Sequence, residues 1–252
     1  MITNAHSKLR LVQVSDCHVS GEPDADYRGL NALHGLSGLL PAVRDFHPDL
    51  LLLTGDVSED GSPASYARVA AMLARLGLPL LALPGNHDVP DVMMRYFPRG
   101  PWPGPHFVDS GAWLIVLLDS TEPGAIDGAF TTARLERLVH GLRRSQARQV
   151  LLALHHQPVP VASPWIDKYA LRDPGPFLDV LERDGRVRCV TWGHVHQDFR
   201  AQRGEMILLG SPSSVANGLP GGEKFMLDPA GPACRWFELG EDGGVETGLL
   251  RP

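Results

Sequence analysis

Asp49-Leu50-Leu51-Leu52-Leu53-Thr54-Gly55-Asp56 is the most telling segment of the chain. Four consecutive leucines show no polar face, so the segment reads as a strand covered on both sides, as in parallel sheets flanked by further layers. It stops at Gly-Asp, a turn dipeptide whose carboxylate then stands at the strand end. The same form recurs on either side. Leu9 to Ser15 reads as a strand running into Asp16-Cys17-His18, and Pro79 to Leu83 runs into Gly85-Asn86-His87-Asp88. Gln149 to Leu154 delivers His155-His156, and Arg188 to Trp192 delivers Gly193-His194-Val195-His196.

Helical patterns fill the intervals. Leu30, Leu33, Leu36, Leu39, Leu40 and Val43 recur near helical spacing between Gly29 and Phe46, with Pro41 predicting a kink or a break. Ser62-Pro63 reads as an N-cap followed by proline at the first helical position, and Gly77 as the stop. Thr131 or Thr132 caps another helix through Leu135, Leu138, Val139 and Leu142, and a further helix lies near Pro176 to Arg183. Trp113 to Leu118 reads as a strand, Met206 to Gly210 and Cys234 to Leu239 as later antiparallel strands, and Pro90 to Pro105 as a surface loop. Strand and helix alternate as in α/β proteins, where ligands bind beyond the carboxyl ends of the strands.

With 252 residues and no internal linker, the chain reads as one domain spanning residues 1–252. A net charge of −6 offers no basic field, which argues against nucleic acid or anionic membrane as a partner. The three cysteines are odd in number, widely spaced and lack a C-x-x-C pair, which points to a reducing compartment. Met1 to Arg10 has no apolar core and no long apolar run follows, so the expected location is cytoplasmic.

The chemistry lies in the strand ends. Asp16 and His18 are two residues apart, as are His194 and His196, and in extended chain such pairs point the same way. Cys17 and Val195 would point away. Gly55, Gly85 and Gly193 are expected to permit the sharp turn that aims the next side chain. Taken singly, Asp-x-His or Gly-Asp reads as a surface turn sooner than as a ligand. Together they gather carboxylate and amide oxygens with imidazoles, a donor set compatible with two divalent ions of manganese, iron, zinc or cobalt, alone or mixed. His6, His34, His47, His106 and His140 lack ligand spacing.

The series Asp16-x-His18, Gly55-Asp56, Gly85-Asn86-His87-Asp88, His155 and Gly193-His194-x-His196 resembles the calcineurin-like metallophosphoesterases. Four later stretches narrow the likeness to the bacterial class III cyclic nucleotide phosphodiesterases. They are His155-His156-Gln157-Pro158-Val159-Pro160, Trp165-Ile166-Asp167, Gly193-His194-Val195-His196-Gln197 and Gly210-Ser211-Pro212-Ser213-Ser214. Gln157 stands where that family often has proline.

The resemblance implies an α/β fold of four layers, an α-β-β-α sandwich with mixed sheets and the metals beyond the strand ends. It implies one metal on Asp16, His18 and His196, a second on Asn86, His155 and His194, and Asp56 bridging both. His156 would be a neighbour. Asn86, His87 and His196 would meet substrate. His87 would act as general acid or as hydrogen-bond donor to the transition state, with Asp88 fixing its tautomer; the alternative is a pair that only braces Asn86. The implied substrate is a small cyclic nucleotide, cyclic AMP foremost, opened to the 5′-monophosphate. A broad phosphodiesterase or phosphomonoesterase, a nucleotide-sugar pyrophosphatase, or a non-enzymatic scaffold of the same fold are the alternatives. Trp165 and Tyr169 could stack on a base, and Pro212 to Pro232 could cap the pocket or merely connect.

Overall fold

Alternate side chains of the leucine run go to different cores, as the two-residue period of a strand requires. Leu50 and Leu52 pack with Leu9, Leu11, Trp113, Ile115 and Leu117, whereas Leu51 and Leu53 pack with Val12, Val14, Leu36, Leu39 and Tyr66. A third core joins Leu114, Val116 and Leu152 to Leu138, Leu142, Phe177 and Leu181.

The computed structural model describes residues 8–97 and 104–252. The first half contains β1 (Leu9–Val14), β2 (Asp26–Tyr27), β3 (Leu30–Asn31), α1 (Ala32–Phe46), β4 (Leu50–Thr54), α2 (Pro63–Ala74), β5 (Leu80–Leu83), α3 (Pro90–Met93), β6 (His106–Ser110) and β7 (Trp113–Leu117). Then follow α4 (Thr132–Arg144), β8 (Gln149–Ala153), α5 (Pro164–Asp167), α6 (Gly175–Asp184), β9 (Val187–Trp192), β10 (Phe199–Arg203), β11 (Met206–Gly210), β12 (Cys234–Leu239) and β13 (Val245–Leu250).

One sheet has the order β13-β12-β1-β4-β5 and the other β10-β11-β9-β8-β7-β6. Within them β1, β4 and β5 are parallel, as are β7, β8, β9 and β11. The three cores therefore separate four layers: α1 with α2, the five-stranded sheet, the six-stranded sheet, and α4 with α6. This is the α-β-β-α sandwich that the resemblance implied.

Local expectations fare unevenly. Ser62 caps α2, its side chain accepting from the Ser65 N–H, and Thr131 is the cap of α4. The helix at Pro41 neither stops nor divides: α1 runs through it. Pro41 and Ser37 are both exposed, so the carbonyl that loses its proline partner is left to water. β12 is antiparallel to its neighbours as expected, but β11 lies parallel to β9. The edge strand β10 turns back at Gly204 and inserts β11 into the sheet. Pro90 to Pro105 includes α3 and the buried Met93, while its residues 98–103 lie outside the described residues, as does His6. Among the described residues no helix is long and apolar enough to cross a membrane.

Candidate metal centre

The loops after β1, β4 and β5 meet those after β8 and β9 at one edge of the two sheets. Backbone bonds lock them: Asp16 N–H donates to the Gly55 carbonyl at 3.0 Å and His18 N–H to the Asp56 carbonyl at 2.9 Å. The His194 N–H crosses from the other sheet to both carboxylate oxygens of Asp16, each at 3.0 Å, and the His87 N–H reaches Asp56 Oδ1 at 2.9 Å.

All seven expected ligands converge here. His18 Nε2 lies 3.1 Å from His196 Nε2 and 3.8 Å from Asp56 Oδ2, and His196 Nε2 lies 3.3 Å from Asp16 Oδ1. On the other side His155 Nε2 is 3.4 Å from Asp56 Oδ2 and 3.2 Å from Asn86 Oδ1. These spacings suit neighbouring corners around an ion whose donors sit at about 2.0–2.2 Å. Asp56 Oδ2 faces both groups, as a shared carboxylate must. His194 Nε2 is buried with no hydrogen-bond partner, and burial holds that ring well below its usual pKa, so it stays neutral. An orphaned neutral imidazole beside three others and two carboxylates fits a divalent metal site.

The Nδ1 atoms of His18, His155 and His196 are tied down. His18 Nδ1 is 2.7 Å from Glu59 Oε2, His155 Nδ1 is 2.8 Å from the Thr54 carbonyl, and His196 Nδ1 is 2.8 Å from the Ala216 carbonyl. Each Nδ1–H therefore donates outward, leaving the Nε2 lone pair for the centre. His156 differs: Nδ1 takes the Ser120 hydroxyl at 2.8 Å and Nε2 faces the Ile126 carbonyl at 3.0 Å. Burial and then the adjacent His155 push its pKa down to about 3. His155 is thus the histidine that faces the centre, and His156 packs behind it.

The backbone reaches this arrangement by an unexpected route. Asp16, His18, Asp56, His194 and His196 have φ of 52°, 44°, 48°, 64° and 49°, so the paired ligands sit on left-handed turns and not on extended chain. Such conformations cost on the order of 1–3 kcal/mol each and gather where function over-determines them. Of the three glycines only Gly55 needs positive φ, at 91°. Gly85 and Gly193 are required by close approach: a Cβ at 85 would strike Asp56, and one at 193 would strike Ser15 and Asp16.

Asp88 does not serve His87. Its buried carboxylate accepts from the Val57, Ser58 and Gly85 N–H groups and from the Tyr66 hydroxyl, bracing the loops beneath. The carboxylate beside His87 is Glu59, 3.2 Å from Nδ1, and it raises the His87 pKa to about 9. Glu59 thereby joins His18 to His87. No spacing signals it, since a carboxylate between β4 and α2 reads as solvent-facing. A cleft of about 410 Å³ opens over the centre. Tyr27, Arg28 and Trp165 line it together with Glu223, Lys224 and Phe225, so the segment after Pro212 forms part of the pocket wall.

The family model described as calcineurin-like phosphoesterase matches residues 9–198. The chain is 41% identical to the 3′,5′-cyclic adenosine monophosphate phosphodiesterase CpdA of Pseudomonas aeruginosa, over 97% of this chain and 90% of that one. It is 32% identical to the CpdA of Escherichia coli (strain K12), over 97% and 90%. Among solved structures, a dimetal phosphatase from Danio rerio superposes with a TM-score of 0.71 at 16% identity, covering 96% of this chain and 98% of that one. Motifs, four-layer fold and relatives agree: the chain belongs to the calcineurin-like phosphoesterase family.

Proposed function

We propose that the protein is a dinuclear metal-dependent phosphodiesterase that opens 3′,5′-cyclic nucleotides, cyclic AMP foremost, to the 5′-monophosphate. The observation that carries this reading is the convergence of Asp16, His18, Asp56, Asn86, His155, His194 and His196 around one shared carboxylate. The relatives named as cyclic AMP phosphodiesterases, matched over nearly their whole length, supply the substrate class. Asp16, His18 and His196 would hold one ion, Asn86, His155 and His194 the other, with Asp56 between them. Manganese or iron is the preferred occupant.

Two divalent ions, when bound, supply positive charge to the phosphate oxygens and a water acidified to near neutrality. The chain's own contribution is placement. His87, half-exposed at the cleft, has Nδ1 occupied by Glu59, which leaves Nε2 to donate a proton to the departing 3′ oxygen. Glu59 holds His87 and His18 in one register. Asn86 and His196 line the cleft where the phosphate would sit.

The test is hydrolysis of cyclic AMP by metal-stripped protein with and without Mn²⁺, beside an aryl phosphodiester and an aryl phosphomonoester. Metal-dependent release of 5′-AMP is expected. Cleavage of the aryl diester without release of 5′-AMP would leave a phosphodiesterase of other specificity. His87→Ala should slow cyclic AMP by about 10²–10⁴-fold and a nitrophenyl ester much less, because only the alkoxide needs the proton.

A further inference from the structure

The metal ligands account for the phosphate and leave the rest of a nucleotide to be held by the rest of the cleft. That part of the wall is aromatic and cationic. Tyr27 lies flat on His18, ring centroids 4.1 Å apart and planes 10° off parallel, which seats the β2–β3 hairpin directly against the centre. Arg28 follows at the hairpin turn with φ of 55°, ahead of Gly29 at 83°. Its guanidinium carbon stands 3.9 Å over the ring of Phe225, and its Nε donates to the Tyr27 hydroxyl at 3.3 Å. Phe225 also lines the cleft and comes from the segment beyond the residues that the family model covers. Trp165 meets it edge-on at 5.2 Å, and Gly218 leaves room for both rings.

Arg28 makes no salt bridge among the described residues. An exposed guanidinium without a carboxylate, its carbon 3.9 Å from a ring centroid, is a planar, weakly hydrated cation suited to stacking. Nucleobases stack on such surfaces regardless of sequence, because every base has a π face.

We propose that Arg28 and Phe225 form a nucleobase clamp, taking the base by stacking while the phosphate meets the metal ligands. The proposal deepens the reading of the site as a nucleotide phosphodiesterase and rests on it for the class of ligand. It makes the presence of a base the selected feature, supplied by two segments remote in sequence.

The test is calorimetric titration of 5′-AMP and of ribose 5-phosphate into Mn²⁺-loaded protein, for the parent and for Arg28→Ala, Phe225→Leu and Phe225→Tyr. The parent should bind 5′-AMP more tightly than ribose 5-phosphate. Arg28→Ala and Phe225→Leu should each cut that ratio by about tenfold, and Phe225→Tyr should restore it. Ribose 5-phosphate binding in the same variants reports an intact site. Equal affinities in the parent, or a ratio that survives both Arg28→Ala and Phe225→Leu, would overturn the clamp. If the ratio depends on the clamp but cyclic AMP is not turned over, the clamp stands and the reaction assigned above falls.

Discussion

The two sheets make unlike contributions to the same centre. The loops of the five-stranded sheet bring every oxygen donor, Asp16, Asp56 and Asn86, with one imidazole, His18; those of the six-stranded sheet bring imidazoles alone, His155, His194 and His196. On the proposed assignment neither sheet carries a complete set for either ion. The centre therefore depends on how the sheets are seated on each other, and the contacts that seat them lie directly beneath it. Gln13 of β1 is fully buried, and its Nε2 donates to Thr54 Oγ1 at 2.8 Å and across to the Trp192 carbonyl at 3.1 Å. Thr191 Oγ1 of β9 donates back to Gln13 Oε1 at 2.5 Å. Above them the Asp16 carboxylate receives the His194 N–H.

The strongest way to break this comparison is Asp56→Ala. As the donor that faces both groups, its loss should lower turnover by at least about a thousandfold, several kcal/mol of transition-state stabilisation, and reduce bound metal by more than loss of His194 does. Metal analysis of Asp56→Ala and His194→Ala decides it; equal metal contents would refute the shared role. Metal removal comes next. The proposed ions would join the sheets only in the folded chain, so at 100 times the dissociation constant they should add about 2.7 kcal/mol. At about 2–4 °C per kcal/mol for a chain of this size, stripping with a chelator should lower Tm by roughly 5–10 °C.

Gly193→Ala probes the seam itself. The added Cβ pushes the six-stranded sheet's loop off Ser15 and Asp16, and metal affinity should fall by about 10–100-fold, as for lost supporting neighbours. Gln13→Leu touches no ligand and should have the smallest effect on the centre. It leaves buried polar partners unmet, costing about 1–3 kcal/mol in denaturant unfolding. A matching loss of metal affinity would sharpen the comparison, since it would show that sheet seating sets the site.

Some of this is legible in local sequence. An apolar run such as 50–53 announces a strand with two covered faces whatever surrounds it, and Asp16, Asp56, Asn86, His155 and His194 each follow such a run at a turn. The same logic reached the helix caps at Ser62 and Thr131. It failed for β6, β10 and β13, whose half-buried edge positions carry no unbroken apolar signal. It also misjudged Gly85 and Gly193, where the demand comes from a neighbour's atoms and not from the residue's own φ.

The sequence by itself determined the donor set and its order along the chain, because side-chain chemistry and the strand period are properties of adjacent residues. Tertiary structure alone decided the partnerships. Glu59 and not Asp88 takes His87, and Arg28 meets Phe225. Each choice turns on an ångström of placement between distant segments. Hydrogen bonds and stacking are short-ranged and directional, so no local pattern can encode them.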